Sequence, residues 1–451
     1  MTTTKELLKW DEEHLVHSLF PIGQNYGLIF EKGKGVILQD TKGKEYIDFC
    51  AHLACVNLGY SQSELVAAAA EQMQKLPYSA TFFGHSNVPS IECGKKLAEL
   101  TPEGLDHFFF TAGGSESVET AFVLARLYWQ NRGMGGKHKI ISLYDSYHGM
   151  TTAARSCTGL GKGHLEGGIV QRVPGFIHIP PYYCYRCMFG KEYPQCSIQC
   201  AKFLAEVIEK EGAETVAVFI AEPAMGAGGM VPPPPEYWPM VREICTKYDV
   251  LLIADEVITG FCRTGKMFAV EHWGIKPDIM TLAKGITSAY FPVGAVVFSD
   301  QVHEGLKGSI DIGYTYGGHP VGLAVALKAM EIYVRDKIAD HVAKASKHLI
   351  DRLKNEFLPL PCVGDVTGLG FMGGMEIVAD KATKRVFDPA LNIMDKIKDK
   401  ALEKGLFLRT GSISSATGDR VEWSSPLVIT VEEVDRALDI LKPIIADIKP
   451  S

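Results

Sequence analysis

Leu251-Leu252-Ile253-Ala254-Asp255-Glu256-Val257 and Pro277-Asp278-Ile279-Met280-Thr281-Leu282-Ala283-Lys284-Gly285 are the two stretches whose reading decides the fold. Each is a short apolar run closed by a charged residue, Asp255 in the first and Lys284 in the second, 29 positions on. Runs that are apolar at successive positions, not alternate ones, describe strands covered on both faces. The same pattern recurs at His107 to Phe110, Lys139 to Leu143, Val216 to Ile220 and Gly294 to Phe298. Amphipathic stretches alternate with them: Ser117 to Trp129, Cys200 to Lys210 and Tyr237 to Tyr248. This alternation predicts βαβ units and a mostly parallel sheet, an α/β fold.

Outside that core the pattern changes. Gly35 to Asp48 alternates apolar and polar residues around Lys42-Gly43, which predicts a hairpin. A long helix is predicted around Pro320 to Arg335, leading out of the central unit. The expected organisation is an N-terminal segment, 1–60, a large domain, 61–325, and a smaller C-terminal domain, 326–451. Gly368-Leu369-Gly370-Phe371-Met372-Gly373 fits the glycine spacing of a dinucleotide-binding turn. That turn must open a helix. Here Gly374-Met375-Glu376-Ile377-Val378 follows and reads as a strand, so a glycine-rich strand turn is expected instead.

Bulk properties narrow the function. The 451 residues are 46% hydrophobic and 22% charged, enough for a large core. A net charge of -7 argues against nucleic-acid binding, which needs a Lys/Arg excess. Residues Met1 to Leu15 mix charged and apolar side chains, and no apolar run nears the roughly 18 residues of a membrane helix. A cytoplasmic protein with no membrane partner is expected, its eleven cysteines reduced.

The chemistry lies at the strand ends. Thr111-Ala112-Gly113-Gly114-Ser115-Glu116-Ser117 follows the first run and opens a helix, a geometry suited to phosphate, although a Ser-capped helix start would use the same residues. Tyr147-His148-Gly149 follows the second; an aromatic there can lie flat on a ring, although a core Tyr beside a loop His would read the same way. Glu222-Pro223 ends the third, where the Glu could orient a hydroxyl or be a solvated acid. Asp255 ends a doubly covered strand and needs a partner, either a protonated ring nitrogen or Arg263. Val257, two positions on, could pack under that ring. Lys284 could be a solvated strand-end amine or the amine that holds an aldehyde. Ligands of open parallel sheets gather at the carboxyl ends of strands. A phosphate turn, an aromatic, a Glu, an Asp and a Lys in that order are the parts of a pyridoxal 5'-phosphate site.

These segments, with Asp255-Glu256-Val257-Ile258-Thr259-Gly260-Phe261-Cys262-Arg263-Thr264-Gly265, Ala283-Lys284-Gly285 and Thr315-Tyr316-Gly317-Gly318-His319-Pro320, resemble class III, fold-type I, pyridoxal-phosphate aminotransferases. Within the class the chain is most similar to amine and ω-amino-acid:pyruvate transaminases. The resemblance implies a large domain with a seven-stranded, mostly parallel sheet and a smaller α+β domain. It implies Lys284 as the imine-forming amine and proton shuttle, and Asp255 as the partner of the pyridine nitrogen. Tyr147 and Val257 would cover the two ring faces. Gly113, Gly114 and Ser115 would hold the phosphate, with His148 and Glu222 close to the cofactor. Thr315 would reach the phosphate of a neighbouring subunit, so a homodimer with shared sites is implied. Arg409 would pair with the carboxylate of a 2-oxo acid acceptor and swing away for uncharged amines; a surface Arg after a Gly405-capped helix is the alternative.

Two departures stand out. Similar amine transaminases often carry Trp where this chain has Ala54. The lost volume points to a bulkier donor at a substrate pocket of Ala54, Phe83, Tyr147 and Arg409, unless Phe82 or Phe83 refills it. Cys184, Cys187, Cys196 and Cys200 have C-x2-C and C-x3-C spacing. They are expected to be unligated thiols, with a zinc knuckle as the alternative and no metal in the chemistry. The reaction expected is transfer of an amino group from a primary amine or ω/β-amino acid, among them 3-aminobutyryl-CoA, to pyruvate or 2-oxoglutarate. Alternatives are taurine:pyruvate transfer, a decarboxylase or aminomutase of the same fold, and a cofactor-free scaffold.

Overall fold

A computed structural model describes residues 2–160, 172–308, 310–411 and 418–449. Three sheets carry the architecture. The first begins with β1 (Phe30–Lys34), β2 (Ile37–Asp40) and β3 (Glu45–Asp48). β2 and β3 form the expected hairpin, and Gly43 takes the positive φ of 82° that the turn requires.

The central sheet holds β4 (His107–Thr111), β5 (Lys139–Leu143), β6 (Phe176–Ile179), β7 (Val216–Ala221), β8 (Leu251–Asp255), β9 (Ile279–Leu282) and β10 (Gly294–Phe298). Their order is β4-β10-β9-β8-β7-β5-β6. Only β10 runs antiparallel to its neighbours. Every residue of β7, β8, β9 and β10 is buried, as their unbroken apolar runs require. β6 escapes a pattern reading because its apolar run is only four residues long and is broken by His178.

The third sheet contains β11 (Val363–Gly368) and β12 (Gly373–Ile377), followed by β14 (Arg409–Gly411) and β15 (Asp419–Trp423) in the order β11-β12-β15-β14. The Gly368–Gly373 stretch is a tight antiparallel turn with those two glycines paired, not the start of a helix. β13 (Leu406–Phe407) pairs in parallel with β3 and ties the C-terminal part to the N-terminal hairpin. The helix Pro320–Arg335 packs on the helices Ser63–Lys75 and Val88–Leu100. The expected boundary near 325 falls inside it. Because β4, β5, β7, β8 and β9 run the same way, their carboxyl ends open on one side, where the candidate residues collect.

Candidate active site

One cavity of about 130 Å³ is lined by Gly114, Ser115, Tyr147, His148, Gly149, Glu222, Asp255, Val257, Ile258 and Lys284. Most of the residues singled out from sequence meet there. They come from the ends of five strands and lie up to 170 positions apart in the chain.

Asp255 closes β8 and is 2% exposed. Its Oδ2 lies 2.6 Å from His148 Nδ1. Its Oδ1 accepts from the Val257 amide at 3.1 Å and the Thr281 hydroxyl at 2.9 Å. Three donors fix the carboxylate's plane and compensate its burial. The alternative partner, Arg263, is elsewhere. Its guanidinium donates to the carbonyls of Phe371, Ser424 and Ser425 and to Asn57 Oδ1. It therefore ties the third sheet and the N-terminal segment to the loop after β8. Thr281 went unrecognised in the sequence, although a lone hydroxyl in a strand buried on both faces signals a polar partner across the sheet.

Lys284 follows β9 with a φ of +48°. Burial disfavours its ammonium and lowers the acid from the usual lysine range to about 8; the Arg409 charge adds to this, while Cys55, Asp255 and Glu222 oppose it. Glu222 is buried, and its carboxylate accepts from the amides of Tyr147 at 3.1 Å and Gly226 at 2.9 Å. Burial raises it to about 7, with Asp255 adding to the rise. It is not a solvated loop acid. Tyr147 is pushed up by burial, then by Asp255 and Glu222, with Arg409 opposing.

The helix Gly114–Asn131 starts without a side-chain cap, since its N-cap is Gly113. The Ser-capped alternative is excluded: Ser115 Oγ accepts instead from the Met150 amide at 3.1 Å. The first-turn amides and the helix dipole thus lie beside the cavity, as an anion site requires. Two glycines are needed here. A Cβ on Gly114 would stand 2.9 Å from Val257 Cγ1, and a Cβ on Gly149, at φ +131°, would collide with Ser115.

Other expected residues lie apart from this group. Phe83 is 92% exposed, and with Phe82 it lines a separate groove beside Phe108, Phe109 and Phe110. Neither fills space at Ala54. Ala54 is buried against Ala224, Met230, Ile258 and Met372, and reaches the cavity only through Ile258. Thr315 is exposed, its carbonyl accepting from the Tyr78 hydroxyl at 2.8 Å. Arg409 begins β14, half-buried, with Nε 3.1 Å from Glu422 Oε2; it is not a free surface residue. Cys184, Cys187, Cys196 and Cys200 line one small cavity. Among the described residues only Asp106, His107 and Asp300 bring three ligand atoms within 4.8 Å of one another, so the thiols stand wider than that.

An aminotransferase class-III family model matches residues 21–445. The chain belongs to the class-III aminotransferases. It is 39% identical to diaminobutyrate--2-oxoglutarate transaminase of Halomonas elongata, over 96% of this chain and 94% of that one. It is 38% identical to putrescine--pyruvate aminotransferase of Pseudomonas aeruginosa, over 92% and 89%. The structure of an (S)-enantioselective omega-transaminase from Thermomicrobium roseum superposes with a TM-score of 0.94 at 40% identity, covering 99% of each chain. The fold is therefore that of the fold-type I transaminases, and pyridoxal 5'-phosphate is the cofactor of this class. The cavity fits it. Gly114 and Gly149 leave room that a Cβ would fill, uncapped amides face an anion position, and a carboxylate held by three donors lines the same cavity as a lysine amine.

Proposed function

We propose that this class-III aminotransferase moves the terminal amino group of a diamine or ω-amino acid to a 2-oxo acid, with pyruvate the preferred acceptor and 2-oxoglutarate second. The observation that carries this reading is Arg409. It is half-buried on β14 against Glu422, and its positive charge acts on both Lys284 and Tyr147, so a guanidinium able to hold a carboxylate stands within electrostatic reach of the cavity. Diaminobutyrate, putrescine and γ-aminobutyrate in the names of related enzymes support donors with an unhindered terminal amine. Ala54 packs among Ala224, Met230, Ile258 and Met372, which lends no support to an extended thioester donor.

In this reading pyridoxal phosphate supplies the electron sink and carries the nitrogen between the two half-reactions. Lys284 Nζ would take the proton from the donor carbon that bears the nitrogen and, in the second half-reaction, would give a proton to the carbon of the 2-oxo acid that receives the nitrogen. A lowered acid range suits that task, because the neutral amine forms at lower cost near neutral pH. Asp255, oriented by His148 and Thr281, would pair with the ring nitrogen and keep it cationic. Tyr147 and Val257 would cover the ring faces. Gly113, Gly114 and Ser115 would hold the phosphate, and Glu222 would sit on the hydroxyl side.

The exposed Phe83 and Thr315 and the apolar groove beside them support a homodimer, in which each subunit completes its partner's site. Eleven free cysteines support a reducing compartment, the cytoplasm.

A donor panel tests the reaction. An α,ω-diamine, a γ-amino acid, taurine and an arylalkylamine are each mixed with pyruvate or 2-oxoglutarate, and the amino acid product is measured. Alanine formed from the diamine or γ-amino acid supports the proposal. Carbon dioxide release, or an isomerised donor with no acceptor present, refutes it in favour of a decarboxylase or aminomutase.

A further inference from the structure

We propose that Glu422 is a positioning residue that sets the place of the Arg409 guanidinium, and through it the affinity for a carboxylate-bearing acceptor. This rests on the reading of Arg409 given above.

The register of the third sheet puts the two residues face to face. β14 and β15 pair antiparallel with Arg409 opposite Glu422. The Arg409 Nε to Glu422 Oε2 distance is 3.1 Å, and the two side chains are 27% and 1% exposed. Glu422 is thus taken almost wholly from water, yet among the described residues neither of its carboxylate oxygens has a hydrogen-bond partner of good geometry. Its compensation is ionic. Burial raises its acid, and Arg409, then Arg420, oppose the rise.

Arg420 is poorly placed to take over that role, because both terminal nitrogens of its guanidinium are engaged. It donates to Thr367 Oγ1 at 2.9 Å, to the Gly374 carbonyl at 2.8 Å and to the Tyr183 hydroxyl. Of the two cations that act on Glu422 among the described residues, only Arg409 has a partly exposed side chain that can move. Full departure of Arg409 would leave a buried, uncompensated carboxylate, which is strongly disfavoured. Glu422 therefore acts as a tether. It holds the guanidinium on the strand from which its charge reaches Lys284 and Tyr147, and it fixes the plane that an incoming carboxylate meets. A chain without this acid would still carry Arg409, but with its long side chain free to sample many rotamers.

Glu422→Gln keeps the shape and removes the charge. Pyruvate is varied at saturating donor, and the donor half-reaction with an uncharged arylalkylamine is followed separately by stopped flow. The expected result is a rise of about 10-fold in KM for pyruvate, with the arylalkylamine half-reaction and the cofactor content within about twofold of wild type. In Glu422→Asp, which keeps the charge on a shorter arm, the expected rise is smaller, about threefold; this variant serves if the first does not fold. Combining Glu422→Gln with Arg409→Ala should add nothing to Arg409→Ala alone, because the acid acts through the guanidinium. An unchanged or lower KM for pyruvate in Glu422→Gln overturns the proposal, as does an additive double variant. If Arg409→Ala itself leaves that KM unchanged, the reading of Arg409 falls first; if Arg409→Ala raises it and Glu422→Gln does not, only the tether falls.

Discussion

Replacing Asp255 with Asn separates the charge of that residue from its geometry. The Asn Oδ1 can still accept from the Val257 amide and the Thr281 hydroxyl, as Asp255 Oδ1 does at 3.1 Å and 2.9 Å. Its amide group would face His148 Nδ1, which can accept once the ring proton moves to Nε2. Packing is conserved, so the melting temperature should shift by no more than about 2 °C. The chemistry should not survive. A unit charge about 4 Å from a cationic nitrogen is worth about 4 kcal/mol at an effective dielectric near 20. Losing it removes the force that keeps the ring nitrogen protonated when electrons enter the ring. At about 1.4 kcal/mol per decade, the expected loss in kcat is about 10³-fold. The assay is alanine formation from a diamine and pyruvate, with bound cofactor quantified in the same samples. A variant that holds a full complement of cofactor and works within tenfold of wild type would show that Asp255 is structural and the reasoning mistaken.

Other expectations follow from the same cavity. Borohydride reduction of the holoenzyme should attach the cofactor to the peptide containing Lys284, and Lys284→Ala should take up no label; a tag on any other lysine contradicts the site. Burial lowers Lys284 to about 8, so its neutral, nucleophilic form grows as pH rises toward that value. Cofactor uptake by the apoprotein should therefore speed up by about tenfold per pH unit below 8 and level off above it; a rate that keeps climbing to the ordinary lysine range would mean that burial does not act as described. Protein purified without chelator should carry under about 0.1 zinc per chain, since no three thiols of the Cys184–Cys200 segment come within 4.8 Å of one another; one zinc per chain, lost in Cys184→Ser, would show that they close around an ion. Sedimentation should give a dimer that Phe83→Asp weakens, because an apolar face so exposed needs a cover.

Much of the fold was legible because the signal was local. Six of the seven central strands are short apolar runs, four of them buried at every residue, and Lys42-Gly43 is a turn on its face. The site residues were legible for a related reason. Parallel strands send their carboxyl ends to one side, so a charged residue that ends an apolar run has a known destination before any coordinates exist. Asp255, Glu222 and Lys284 could be placed that way. Their partners could not. Nothing near Asp255 in sequence identifies His148, 107 positions away, or Thr281 as its donors. The assignment of Arg263 to carbonyls, not to Asp255, depends on where the third sheet packs. Ala54 reads as missing volume in sequence, and only the fold brings Met230 and Met372 to it from distant segments.

By itself, then, the amino-acid sequence determined the α/β architecture, the order of the chemical groups along the strand ends and the family resemblance, all of which follow from short-range pattern and chain direction. Only the tertiary structure decided which groups touch: the His148–Asp255–Thr281 arrangement, the glycine room beside Val257, and the pairing of Arg409 with Glu422. The physical reason is that burial and hydrogen bonding are properties of contacts between segments remote in the chain. The charge and affinity of each site residue are set by those contacts.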